Sequence, residues 1–238
     1  MNLTPDLWPL GIHLCIPSYQ SGDLLEKFLP RLLAIVPKTH VCVVDDGSSD
    51  KTVEVCGSLA IKCLSHAGNR GKGAALVTGF DYLIGKGASA VITLDADGQH
   101  APDDLASFLS EFTAHPDTGI ITGCRSMRIG TMPAMRIFSN RLTSLLLSCM
   151  TGTSIPDSQC GYRLYSSKLL KAIRTENPGF AMESEVLLKA AHAGFPVRCV
   201  RVQTLYLGGT SHISHLADTL RWIRTVFRCY LTLKNKKK

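Results

Sequence analysis

The chain has 238 residues, 45% of them hydrophobic and 19% charged, which suits one large α/β domain or two small ones and gives no sign of disorder before the tail. No apolar run approaches the ~20 residues that a bilayer-spanning helix needs, so no membrane span is expected. The net charge of +7 is unevenly placed: residues 1–120 carry 8 Lys and Arg against 14 Asp and Glu, and residues 121–238 carry 18 against 5.

In chain order, residues 1–9 lack a basic region followed by an apolar core, so no signal peptide is expected. Residues 12–16 form an apolar run that predicts a first strand, ending in Pro17-Ser18-Tyr19. Residues 23–36 carry Leu24, Leu25, Phe28, Leu32 and Ile35 at helical spacing, with Pro30 inside the pattern. The run Val41-Cys42-Val43-Val44 predicts a second strand. It stops at Asp45-Asp46, turns on Gly47, and leaves Ser48, Ser49 or Asp50 to cap a short helix over 51–59. Residues 61–65 predict a third strand.

Asn69-Arg70-Gly71-Lys72-Gly73 is a glycine-rich turn entering a helix over 71–83. Backbone amides at such a helix start attract phosphate, and Lys72 adds a positive charge. The turn is neither a Walker A sequence nor a complete dinucleotide fingerprint, and an ordinary tight turn explains it equally well.

Residues 90–94 predict a strand that ends in Asp95-Ala96-Asp97-Gly98-Gln99-His100. If strand geometry persists, Asp95 and Asp97 point the same way. Two hard oxygen ligands at a strand's carboxyl end suit Mg²⁺ or Mn²⁺. Ala101-Pro102-Asp103-Asp104 opens a further helix, and residues 119–124 predict a buried strand.

The second half is less regular. Residues 136–149 predict an apolar helix with a basic start, 160–165 a strand, 183–193 a helix and 197–206 a strand. Asp157 and Arg163, both candidate catalytic residues, flank a glycine bend. Glu183 and Glu185 open the late helix, where acidic residues are favoured by the helix dipole in any case. His212 follows two glycines and is a candidate for the site, although a lone loop histidine is more often a surface residue. Residues 216–233 predict a basic amphipathic helix, followed by a lysine tail. Its apolar stripe packs on the domain in the plain reading. In the sharper one it rests on an anionic membrane surface.

The acidic and basic halves suit a metal and phosphate, respectively. A nucleic-acid binder is disfavoured, because no aromatic-rich or basic recognition motif accompanies the charge. The nine cysteines form no C-x-x-C and read as reduced, mostly buried thiols of a cytoplasmic protein. Strands alternating with helices, with polar or acidic strand ends, predict a parallel sheet with its ligand at the carboxyl edge.

Taken together, Ile16-Pro17-Ser18-Tyr19, Val44-Asp45-Asp46-Gly47-Ser48, Asn69-Arg70-Gly71-Lys72-Gly73, Asp95-Ala96-Asp97-Gly98-Gln99-His100, Gly123-Cys124-Arg125 and residues 157–163 resemble glycosyltransferase family 2. Their order and spacing are closest to the polyprenyl- and dolichyl-phosphate sugar synthases. The resemblance implies a GT-A fold: α/β, with a mostly parallel central sheet and helices on both faces. A nucleotide-sugar and metal half, about residues 10–125, and an acceptor half, about 126–212, would share that sheet within a single domain. Residues 213–238 would be the basic helix and tail.

The resemblance also implies an inverting, metal-dependent transfer from a nucleotide-diphospho-sugar to a lipid-phosphate or glycan acceptor, peripheral to a membrane's inner face. Pro17 and Tyr19 would line the nucleotide base, and Asp46 would accept a hydrogen bond from it. Asp95 and Asp97 would hold the metal and the ribose–diphosphate, and Gln99 would complete the metal shell. Arg125 and Arg136 would meet phosphates, and Glu183 would stand where the family carries its general base. Asp157 is the other candidate base. A sugar nucleotidyltransferase and a non-catalytic nucleotide-sugar-binding subunit remain as alternatives. The late segment Leu207-Gly208-Gly209-Thr210-Ser211-His212 departs from the lipid-phosphate synthases, which carry an arginine before a Gly-x-Ser-Lys there.

Overall fold

The computed structural model describes residues 3–126, 133–179, 181–203 and 215–235, the last segment with side chains from 222 onward. Among them lie seven strands: β1 (Ile12–Ser18), β2 (Val41–Asp45), β3 (Lys62–Ser65), β4 (Ala90–Thr93), β5 (Ile120–Arg125), β6 (Arg163–Ser166) and β7 (Val197–Val202). They form one sheet in the order β3-β2-β1-β4-β6-β5-β7. β6 runs antiparallel to β4 and β5, and the remaining pairs are parallel. The helices are α1 (Gly22–Leu33), α2 (Thr52–Ser58), α3 (Lys72–Gly85), α4 (Leu105–Ala114), α5 (Ala134–Thr151), α6 (Ser167–Ala172), α7 (Met182–His192) and α8 (His215–Asn235).

Element types agree with the sequence patterns, but several ends differ. β4 stops at Thr93, β6 begins only at Arg163, and β7 stops at Val202. α1 runs through Pro30, which lies in its last turn and leaves the Glu26 carbonyl without its usual helical donor. α6 was not expected. It spans 6 residues, too few for an apolar period, and is started by Ser166, whose side chain accepts from the Leu169 amide. Only four of the nine cysteines, at 15, 42, 56 and 160, are buried, fewer than the apolar runs suggested.

Strand alternation divides the core between the two sheet faces. Leu14 and Ile16 of β1, Val41 and Val43 of β2, and Ile92 of β4 face a cluster closed by α1, α2 and α4. Cys15, Cys42, Val44 and Val91 face the opposite cluster, closed by α3, α5, α6, α7 and α8. Burial on both faces explains why these strands read as continuous apolar runs. α8 joins the second cluster through buried Val226 and through Trp222, Cys229, Tyr230 and Leu233, and Trp222 Nε1 donates to Ser184 Oγ at 2.8 Å.

The connections leave β1 in one direction towards β2 and β3, and β4 lies on its other side. A crevice opens at such a reversal, beyond the carboxyl ends of the strands. Because β6 is antiparallel, the segment that precedes it arrives at this same edge. Residues 157–162 thus meet residues 94–100 although some 60 positions separate them in sequence.

The start of α3 is packed under the segment that precedes α7. Ala74 N–H donates to the Pro178 carbonyl at 3.0 Å. A methyl group on Gly73 would come within 2.7 Å of the Asn177 and Gly179 carbonyl oxygens. Helix propensity alone favours Ala over Gly by roughly 1 kcal/mol. Here the obstructing atoms are backbone, so overpacking prevails, and Gly73→Ala is expected to destabilise the fold by about 1–3 kcal/mol. Urea denaturation of the variant measures the sign, and a gain in stability would contradict the close packing.

Candidate active site

The site is built around one ammonium group. Lys72 Nζ, in the first turn of α3, lies 2.6 Å from Asp95 Oδ1 and 3.2 Å from Glu183 Oε2. His100 Nε2 lies 3.4 Å from the other Asp95 oxygen, and its ring packs on Tyr162. Burial opposes charge on Asp95, but Lys72 and His100 outweigh it and hold the carboxyl well below the usual carboxylate range. Burial likewise opposes the Lys72 charge, and Asp95 and Glu183 more than offset it, so the ammonium stays protonated. Glu183 opens α7, and its Oε1 is buried with no hydrogen-bond partner among the described residues.

Asp95 and Asp97 are not on an extended strand. They stand in the turn after β4, with Gly98 at φ +69°, so alternation along a strand does not set their directions. Asp97 Oδ1 accepts from the Gln99 amide at 2.9 Å. Burial, and then the neighbouring Asp95 charge, push the Asp97 pKa up. Gly161 lies against the Asp95 carboxylate so closely that any side chain there would collide with it.

Three amides of the glycine-rich turn and the helix start are held within the protein: Arg70 N–H and Gly71 N–H donate to Asp46 at 2.9 and 2.7 Å, and Ala74 N–H donates to Pro178. Gly71, at φ +95°, also lies against the Pro178 carbonyl. These bonds fix the turn and so aim Lys72.

Asp46 differs from the expectation in the same way. It is buried, and besides those two amides it binds His66 Nδ1 at 2.6 Å, while His66 Nε2 meets Thr78 Oγ1 at 2.9 Å. Its carboxylate organises the turn. Pro17 is buried within β1, whereas Tyr19, just beyond the strand, is 48% exposed and open to a ligand. The loop carrying Tyr19 is strapped to the β2–α2 loop by Gln20 N–H to Ser48 Oγ and Gly22 N–H to Asp50.

Two candidate catalytic groups turn out to be scaffolding. Asp157 is fully buried and accepts from Arg125 Nε at 2.8 Å, Arg125 Nη2 at 3.0 Å, Asn140 Nδ2 at 2.8 Å and the Arg125 and Gln159 amides at 3.2 Å. Burial opposes its charge, yet Arg125 prevails and the carboxyl pKa is lowered. A carboxylate so occupied has no room to take a proton from an acceptor. Arg163 is fully buried and donates to the carbonyls of Cys160, Glu183 and Ser158 at 2.7, 2.9 and 2.7 Å. It ties the Asp157 turn to the start of α7 and does not face the crevice. Arg125, at the end of β5, is the cation held at this edge, fixed bidentately by Asp157. Arg136 is partly exposed in the first turn of α5, and the contacts described here do not join it to this cluster. His212 lies outside the described residues.

Among the described residues, no three His, Cys, Asp or Glu side chains converge as a closed metal cage. Asp95 and Asp97 nevertheless fit Mg²⁺ or Mn²⁺. They are hard oxygen donors whose mutual repulsion a cation relieves, and such ions complete their shells with water and substrate phosphate. Gln99 is partly exposed beside them.

The family model described as Glycosyl transferase family 2 matches residues 13–174, which spans the whole of this cluster except Glu183. The chain belongs to glycosyl transferase family 2.

It is 30% identical to polyprenol monophosphomannose synthase of Mycolicibacterium smegmatis, over 76% of this chain and 72% of that one. It is also 30% identical to undecaprenyl-phosphate mannosyltransferase of Micrococcus luteus, over 75% and 77%. Its fold matches that of glucosyl-3-phosphoglycerate synthase from Mycobacterium tuberculosis, solved with Mn²⁺, uridine diphosphate and phosphoglyceric acid. That match has a TM-score of 0.67 at 18% identity and covers 93% of this chain and 78% of that one. The molecule is thus an enzyme of the transferase class with a GT-A-type fold, and the nucleotidyltransferase and non-catalytic alternatives fall away.

Sequence reading overlooked three parts of the transferase site. His66 was unremarked, although it directly follows β3 at the carboxyl edge. His100 has no role of its own in the sequence pattern, and Gly161 reads there as a bend, whereas in the fold it is the floor beneath Asp95.

Two predictions follow from the charges. The raised Asp97 pKa means that its ionised form is disfavoured in the folded state, so at neutral pH this group detracts from stability. Asp97→Asn is expected to raise the thermal midpoint at pH 7 while abolishing transfer. Scanning calorimetry beside an activity assay checks both signs. Asp157 is the reverse case, with a folded pKa below its unfolded value of about 3.9. Its contribution is complete above that value and is lost as pH falls through the lower folded one. Asp157→Asn is therefore expected to be destabilised at pH 7, and denaturant titrations should show the gap to wild type closing below about pH 4.

Proposed function

We propose that this transferase moves a sugar from a nucleotide-diphospho-sugar to a polyprenyl phosphate, with inversion at the anomeric carbon. The observation that carries this reading is the Lys72–Glu183 ion pair. Glu183 holds the position where a hydroxyl acceptor needs a general base, yet one of its oxygens is engaged by the half-buried Lys72 ammonium. A phosphate acceptor is already an anion and needs no base. The names of the relatives from Mycolicibacterium smegmatis and Micrococcus luteus support the same acceptor class.

In this reading Tyr19 flanks the nucleotide base, and Lys72 and Arg125 face the diphosphate. Asp95 and Asp97, with Gln99 beside them, hold Mg²⁺ or Mn²⁺. When bound, that ion supplies positive charge against the leaving diphosphate. An acceptor phosphate oxygen attacks the anomeric carbon, and the bond from that carbon to the diphosphate oxygen breaks with its electron pair on the diphosphate. No proton moves. Lys72 and Arg125 are preorganised by Asp95, Glu183 and Asp157, so they stabilise the developing charge without reorienting. His212 and Arg136 are the further candidates for the acceptor phosphate. Since a polyprenyl phosphate resides in a bilayer, the reaction belongs at a membrane surface, although no described helix is long and apolar enough to cross one.

The test is incubation of the purified chain with Mn²⁺ or Mg²⁺, a panel of nucleotide sugars and a water-soluble short-chain polyprenyl phosphate. The expected products are the glycosyl phosphate lipid and the free nucleoside diphosphate. Glu183→Gln is expected to keep transfer within about tenfold of wild type, whereas a general base contributes typically ~10²–10⁴-fold. A loss of a hundredfold or more, or transfer to sugar hydroxyls alone, would replace the lipid phosphate with a hydroxyl acceptor.

A further inference from the structure

Among the described residues, half of the exposed large apolar side chains lie on two helices, and the rest, such as Leu7, Leu10 and Val53, are scattered elsewhere. Met135, Phe138 and Leu145 of α5 are 58%, 62% and 62% exposed, and Phe227 and Leu231 of α8 are 49% and 44% exposed. The two helices pack against one another. Their inward residues account for their stability in the fold: Ile137, Thr143 and Leu147 of α5 and Val226 of α8 are buried. The outward residues have no structural task that explains large apolar side chains facing water.

On α8 the exposed Phe227 and Leu231 continue a stripe begun by the half-buried Ile223, spaced four apart. With Arg224 and Arg228 they line an open groove of about 440 Å³. Arg141 is exposed on α5, and Lys234 closes the last turn of α8. Neither α5 nor residues 222–235 of α8 contain an Asp or Glu. The surface is therefore apolar along its ridge, cationic at its margins and free of acidic groups. That combination matches the headgroup region of an anionic bilayer, where apolar side chains enter the acyl boundary and arginines stay among the phosphates. Each basic residue near such a surface strengthens binding roughly fivefold at low salt.

We infer that the outer faces of α5 and α8 form a docking surface for an anionic lipid bilayer, seating the enzyme as an interfacial protein without a membrane span. The surface rests on the proposed lipid-phosphate acceptor for its purpose but not for its evidence. It presents a catalytic domain whose α5 contributes Asn140 to the Asp157 cluster, so docking and the site share one rigid helix.

The experiment is co-sedimentation with vesicles of phosphatidylcholine alone and of phosphatidylcholine with phosphatidylglycerol, at low and physiological salt. No sugar donor or acceptor is present. The wild-type chain is expected to pellet with the anionic vesicles at low salt, and less so as salt rises. F227E/L231E on α8 and F138E on α5 are each expected to lower the bound fraction at least tenfold, with unchanged thermal midpoints because these side chains are exposed. R224E/R228E is expected to remove the preference for anionic vesicles.

Transfer to the water-soluble short-chain acceptor, measured without vesicles, is expected to be unchanged in all these variants. That readout separates failure of the surface from failure of the proposed reaction. Wild-type protein remaining in the supernatant at low salt overturns the surface, as does full vesicle binding by F227E/L231E. A sedimentation velocity shift from dimer to monomer in F227E/L231E, without vesicle binding by wild type, would assign the groove to a second copy of the chain.

Discussion

The half-buried ammonium of Lys72 is the constraint on which the site depends. It joins the first turn of α3, the turn after β4 and the first turn of α7 in one set of ion pairs. A buried charge is tolerable only when paired, and here three elements must hold their places to pair it. Asp95 then lies between Lys72 and His100 with Gly161 beneath it, and Asp97 is left more weakly compensated. In the proposed reaction this weakly compensated carboxylate is the natural point of entry for a divalent cation.

A second layer of polar groups exists to hold the first. Asp46 is saturated by two backbone amides and His66 and so shapes the turn that aims Lys72. Arg163 ends on three carbonyl oxygens and fixes the approach of β6 to the crevice. Asp157 spends its hydrogen-bonding capacity on Arg125, Asn140 and neighbouring amides. Each looks catalytic by residue type, and each is removed from chemistry by burial and by the number of donors or acceptors already bound to it. Preorganisation of this kind holds Lys72 and Arg125 in place, as the proposed reaction requires.

The uneven charge of the chain has two structural outlets. The acidic first half contributes Asp95 and Asp97 at the carboxyl edge of the sheet. The basic second half sends Arg125 to that edge and distributes further arginines along α5 and α8. The same helices that close one face of the core thus leave a cationic, apolar exterior, and the interior and exterior stripes of α8 arise from one helical period.

The apolar strand runs, their acidic ends, the long helices and the family motifs were all legible in the sequence, because they rest on local pattern and short spacing. α6 was not, since six residues carry no period, and the true end of β4 was not, since an Asp-rich turn continues an apolar run without a break in pattern. By itself the sequence determined a doubly covered, mostly parallel sheet of family 2 character with charged groups at its carboxyl edge. Only the tertiary structure decided which of those groups are open to a ligand and which are consumed internally. The physical reason is distance: Lys72 and Glu183 are 111 positions apart, and Arg125 and Asp157 are 32 apart. Whether a carboxylate acts as base, ligand or scaffold depends on partners that only the folded sheet brings within hydrogen-bond range.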